Sequence, residues 1–144
     1  MKIYSWNVNG IRGVIKHGSF LPFVEQHAPD LLCLQETKAK RGQMEIDLPG
    51  YHEYWNSAEK SGYSGTAIFS RREPLSVTNG FPAAFAKKYD FADELRRDSA
   101  GEGRLITAEF ERFHVVTVYT PTCASGIGIR LSSPTASNSN ARSR

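Results

Sequence analysis

Two short apolar runs, each ending abruptly in polar groups, constrain the fold of this chain more than any other feature. The first is Ile3-Tyr4-Ser5-Trp6, which breaks at Asn7; the second is Leu31-Leu32-Cys33-Leu34, which breaks at Gln35-Glu36. Between them, Ile11 to Gln26 is broadly helical, with Ile11, Val14, Ile15, Leu21 and Val24 as candidate buried positions. Gly18-Ser19 interrupts that stretch, and Ser19 is placed to cap a second helical piece from Phe20. A strand, a helix and another strand at this spacing form a βαβ-like unit, whose ligands gather at the carboxyl ends of the strands. Asn7 and Glu36 would then stand side by side at one rim. An amide and a carboxylate there can hold a hard divalent cation such as Mg2+, which takes oxygen ligands and keeps several waters.

The rest of the chain continues the α/β pattern. Asn9-Gly10 and Leu48-Pro49-Gly50 are turns, Tyr51 to Asn56 is an aromatic-rich strand, and Thr66 to Ser70 is another after the loop Ser61-Gly62-Tyr63-Ser64-Gly65. Residues 71–101 read as one weak strand near Leu75 to Thr78 and then a long surface loop. Arg104 to Phe110 and Phe113 to Tyr119 form a hairpin around Glu111-Arg112.

After Thr122 the composition changes. Nine of the 22 residues in 123–144 are Ser, Thr or Asn, with no acid, Lys or aromatic. Such a segment buries too little apolar surface to offset its ordering entropy, so a disordered tail is expected. The tail also carries Arg130, Arg142 and Arg144, three of the 18 basic residues, which leaves 15 basic and 15 acidic residues in 1–122. The net charge of +3 therefore belongs to the tail, and bulk charge is no argument for nucleic-acid binding. Neither a membrane span nor a secretory signal is legible, and Cys33 and Cys123 lack scaffold or zinc spacing, so a reducing cytoplasm is expected.

Five segments, in order and in register, carry a family resemblance: Trp6-Asn7-Val8-Asn9-Gly10-Ile11-Arg12, Leu34-Gln35-Glu36-Thr37-Lys38, Tyr63-Ser64-Gly65-Thr66-Ala67, Glu102 to Phe110, and Val118-Tyr119-Thr120-Pro121. Together they resemble the exonuclease III type of abasic-site endonuclease, within the endonuclease/exonuclease/phosphatase superfamily. The resemblance spans 1–122, a partial domain, and stops at the tail 123–144.

It implies the N-terminal part of a four-layer α/β sandwich, two mixed sheets face to face with helices outside. It further implies Mg2+-dependent cleavage of DNA phosphodiesters in base-excision repair, with Mn2+ as a substitute. The partner would be double-stranded DNA with abasic sites or 3′ ends, met by a monomer in the cytoplasm at the nucleoid. By position, Glu36 would be a metal ligand, Asn7 an auxiliary ligand or hydrogen-bond donor, and Tyr119 a phenol at the scissile phosphate. Arg12, Lys38, Tyr63 and Arg104 would contact substrate, although Arg104 could instead hold the sheet through an ion pair.

The family's later Asp-x-Asn and Ser-Asp-His motifs are absent: no Asp or Glu follows Glu111, and the last His is His114. A gene truncated or shifted out of frame near codon 122 is the expectation. The alternatives are a catalytically incomplete fragment, or another phosphodiesterase of the same superfamily.

Overall fold

The structure is a computed structural model describing residues 1–43, 46, 48–88 and 99–121. The tail, Cys123 included, lies outside the described residues. Among the described residues seven strands form two sheets. The first is ordered β1 (Ile3–Asn7), β2 (Leu31–Gln35), β4 (Thr66–Ser70), β3 (His52–Asn56), with β1 parallel to β2 and the other pairs antiparallel. The second is antiparallel, ordered β5 (Ser76–Asn79), β6 (Leu105–Phe110), β7 (Phe113–Val118).

Alternation along the strands sorts side chains onto the two faces of the first sheet. Leu32, Leu34, Ala67 and Phe69 face outward and bury against α1 (Ile11–Lys16) and α2 (Phe20–His27) through Ile11, Phe20 and Val24. Tyr4 and Trp6 extend this layer, with ring centroids 5.5 and 4.8 Å from Phe23. Leu31, Cys33 and Ile68 face inward and pack on Ile106, Ala108 and Phe110 of the second sheet. Burial there pushes the Cys33 thiol up to about 11, which makes it inert.

Three expectations are corrected. Leu21 is 45% exposed, whereas Phe20 is 1% exposed and Phe23 packs on the core. The cause is Gly18, whose φ of 68° breaks the helix and resets its phase, so periodicity counted from Ile11 does not carry across. Ser19 does stand at the start of α2 but makes no side-chain capping bond. The stretch 71–101 is not simply strand and loop: it also holds α3 (Ala83–Lys88) and a 3-10 turn at Ser99–Glu102.

Polar side chains tie the sheets together. Gln35 Nε2 donates to Ser5 Oγ at 2.9 Å and to Thr117 Oγ1 at 2.8 Å. Asn56 Nδ2 donates to the Leu105 carbonyl, and Thr66 Oγ1 to that of Gly103. Thr117 is 3% exposed, so Gln35→Ala would strip a buried hydroxyl of its donor. The expected cost is about 2 kcal/mol, read as a lower urea midpoint.

The second sheet is offset, with β7 over β2 and β4. The inner face of β1 is consequently uncovered at its edge, and Ile3 is 48% exposed. Val116 and Val118, on the outer face of the second sheet, are also about half exposed, at 54% and 47%. No described helix is long and apolar enough to cross a membrane.

Candidate active site

The carboxyl rim of β1 and β2 is built by three chain segments that bond each other through backbone. Asn7 pairs with Gln35 in the parallel register, and Val8 N–H continues it to the Gln35 carbonyl at 3.0 Å. Glu36 then enters the left-handed region, φ 56°, which ends β2 and turns its carbonyl to Gly10 N–H at 2.8 Å. Thr37 carbonyl accepts from Ile11 N–H at 3.0 Å. On the other side, Thr37 and Lys38 N–H donate to the carbonyls of Gly65 and Ser64, at 3.0 and 2.8 Å. Gly65 is required at this junction: a Cβ there would lie 2.4 Å from Thr37 Oγ1, and its φ is 91°. A non-glycine residue with positive φ is costly, by about 1–3 kcal/mol, and such residues cluster at functional sites.

The side chains converge on Glu36. Lys38 Nζ lies 3.0 Å from Oε1, and Asn7 and Tyr119 stand near enough to favour the charged carboxylate through their side-chain donors. Desolvation raises the Glu36 pKa, but the bonds from Lys38, Asn7 and Tyr119 together outweigh it and hold the carboxyl below its usual range. Tyr119 moves the other way: burial and the adjacent Glu36 charge keep its phenol protonated, with Arg104 opposing weakly. Asn7 Oδ1 accepts from Asn9 N–H at 3.0 Å, leaving its amide NH2 for Glu36.

The structure thus brings Asn7, Glu36, Lys38 and Tyr119 into one cluster. Tyr63 and Arg104 lie close enough to Tyr119 to act on its charge. Arg104 is also ion-paired with Glu102, and its carbonyl accepts Tyr119 N–H at 2.8 Å, so it supports the phenol from the backbone as well. Arg12 is exposed in the first turn of α1. Asn9 was legible only as a turn residue, yet its Oδ1 accepts from Lys38 Nζ at 2.6 Å. The signal for it was the i, i+2 spacing from Asn7 at the strand end.

One carboxylate, one amide and an ammonium seated on Oε1 meet at this rim. Among the described residues no three His, Cys, Asp or Glu side chains group closely enough to cage a metal. The donor set suits an ion that takes one or two carboxylates and fills its other positions with water and phosphate oxygens, as Mg2+ does.

Comparison with known proteins agrees with this geometry. The endonuclease/exonuclease/phosphatase family matches residues 4–140, a span that runs past the compositional change at 122. The chain is 45% identical over 127 residues to an exodeoxyribonuclease of Bacillus subtilis, covering 88% of this chain and 45% of that protein. It is 40% identical over 132 residues to the DNA repair nuclease APEX1 of Danio rerio, covering 88% and 38%. The catalytic domain of Xenopus laevis APE2 superposes with a TM-score of 0.62 at 28% identity, covering 85% of this chain and 46% of that one. An AP endonuclease from Archaeoglobus fulgidus gives 0.57 at 29% identity, covering 84% and 41%. The chain spans less than half the length of these relatives. With the family matched along nearly its whole length and the sandwich shared, the chain belongs to the endonuclease/exonuclease/phosphatase family.

Proposed function

We propose that the cluster is the metal-binding part of a DNA phosphodiesterase that cuts beside abasic sites and at 3′ ends of duplex DNA. The convergence of Asn7, Lys38 and Tyr119 on the ionised Glu36 is the observation that carries this reading. Glu36 would hold Mg2+, or Mn2+ in its place, with Asn7 fixing the carboxylate rotamer from the side. When bound, the ion supplies charge neutralisation on the phosphoryl oxygens and stabilises the leaving oxygen. Tyr119, kept protonated, donates its O–H to a phosphate oxygen once Glu36 is engaged elsewhere. Lys38, Arg12 and Arg104 add positive charge around the same rim, and Tyr63 adds an aromatic face beside it.

The relatives named for acting on abasic sites and as exodeoxyribonucleases support the substrate class. One observation favours a rival, in which the chain binds metal and DNA without cutting. Glu36 is the carboxylate on which Asn7 and Tyr119 act, and among the described residues no three His, Cys, Asp or Glu side chains group there as a fuller hydrolytic site would have.

The test is incision of an abasic-site duplex by the purified chain with and without Mg2+. Metal-dependent nicking supports the enzyme; none, with metal binding intact, supports the rival. If nicking occurs, Tyr119→Phe should slow it about a hundredfold, the effect of removing one donor to a developing oxyanion. Its metal affinity should stay within about twofold of wild type, because only a hydroxyl has been lost from the edge of the site. A large fall in metal affinity instead would make Tyr119 part of the cation site.

A further inference from the structure

We propose that Lys38 is a resident counter-ion whose ammonium occupies the divalent cation's place on Glu36 and leaves it when metal binds. The inference rests on the reading of Glu36 as the metal ligand and extends it to a residue that competes with the metal.

The placement of this ammonium is built by the fold. Lys38 Nζ is held between Glu36 Oε1 at 3.0 Å and Asn9 Oδ1 at 2.6 Å. Its backbone is left-handed, φ 51°, with the N–H fixed on Ser64 carbonyl. From there the side-chain stem runs back over Gly10, where a Cβ would touch Lys38 Cδ at 3.7 Å. Asn9 is itself held, by a left-handed φ of 43° and by its N–H on Asn7 Oδ1 at 3.0 Å. Asn9 therefore has the geometry of a seat, presenting its oxygen to the ammonium beside the carboxylate.

Electrostatics give the seat a purpose. An ionised carboxylate 19% exposed gains a compensating charge from this ammonium. A divalent ion on this carboxylate would be repelled by the ammonium already there, since like charges close together repel strongly in a partly dry site. Lys38, 34% exposed at its side chain, has room to swing away on its flexible stem. Swung off Glu36, the ammonium stays at the rim, where it can meet a phosphate. Lys38 would thus serve the empty site as counter-ion and the loaded site as phosphate contact.

Mn2+ titration of the full chain by calorimetry tests the competition, with Lys38→Gln and Asn9→Ala as variants. An ion pair of this exposure contributes up to about 1 kcal/mol, so Lys38→Gln should tighten Mn2+ binding about fivefold. Asn9→Ala leaves the charge in place but removes the seat, and should tighten it about twofold. In the wild-type chain, labelling of the Lys38 amine with acetic anhydride should quicken at least about threefold in saturating Mg2+, while Lys16 stays constant as reference. Tighter binding by Lys38→Gln alone, with Asn9→Ala and the labelling unchanged, would reduce Lys38 to a distant repulsive charge and overturn the seat. Weaker binding by Lys38→Gln would make Lys38 a support of the metal and overturn the competition. An absence of Mn2+ binding in every variant would overturn the metal reading of Glu36 together with this one.

Discussion

On the proposed function, Glu36→Gln should abolish metal-dependent incision while leaving the fold intact. The amide keeps the shape and the left-handed backbone of Glu36, so Gly10, Ile11, Gly65 and Ser64 retain their bonds to segment 36–38. What it loses is the carboxylate on which Asn7, Lys38 and Tyr119 converge. A bound divalent ion contributes several kcal/mol to a transition state, and about 4 kcal/mol is roughly a thousandfold in rate. Mn2+ titration of the variant should be flat over the range that saturates wild type. Incision retained within about tenfold would show that the cation is anchored elsewhere.

The same variant separates a pH effect on the metal-free chain. Lys38, Asn7 and Tyr119 lower the carboxyl pKa of Glu36 below its ordinary 4.5. A group depressed in the folded state contributes stability that is full above its unfolded value and fades as pH falls through its folded value. Wild type should therefore lose this increment below pH 4.5, and Glu36→Gln, which has no such proton to take up, should lose less over the same interval. Parallel urea midpoints across that range would contradict those interactions at Glu36.

Gly103→Ala should be strongly destabilising. A Cβ at that position would lie 2.6 Å from Ala58 N, from Asn56 O and from Ser57 C, all backbone atoms that cannot step aside. The residue's φ of 64° adds strain for any L side chain. Left-handed strain of about 1 kcal/mol and overpacking of about 2 kcal/mol give an expected loss of about 3 kcal/mol. Gly62→Ala is the control, because its φ is 71° but nothing lies within 4 Å, so only the backbone strain should appear. Equal urea midpoints for the two variants would refute the close-approach account. Damage at Gly103 should also reach the site, since the next residue's carbonyl holds Tyr119 N–H.

The strands and their common rim were legible because their signals are local. The run 66–70 is apolar enough to be a central strand and is buried throughout, and the hairpin is bounded by Glu111-Arg112 as its composition indicates. Asn7 and Glu36 could be placed together because a parallel pair with matched ends leaves few alternatives. Tyr119 came to the same cluster through the family resemblance; no local pattern separates a site phenol from a core one.

What stayed hidden depends on contacts distant in sequence or on backbone state. Leu21 and Phe20 exchange roles across one left-handed glycine, which no periodicity count registers. The Gln35 link to Thr117 joins residues 82 apart in the chain. Asn9 reads as a turn residue and Lys38 as a substrate contact, and the left-handed conformations at both positions, which no sequence pattern registers, aim them at each other.

The backbone at Glu36 sets stability and chemistry against each other. Glycine or asparagine would sit more comfortably at its φ of 56°, and neither could present a carboxylate to the rim. A glutamate at such a position gives up backbone comfort for the carboxylate that meets Lys38 at the rim.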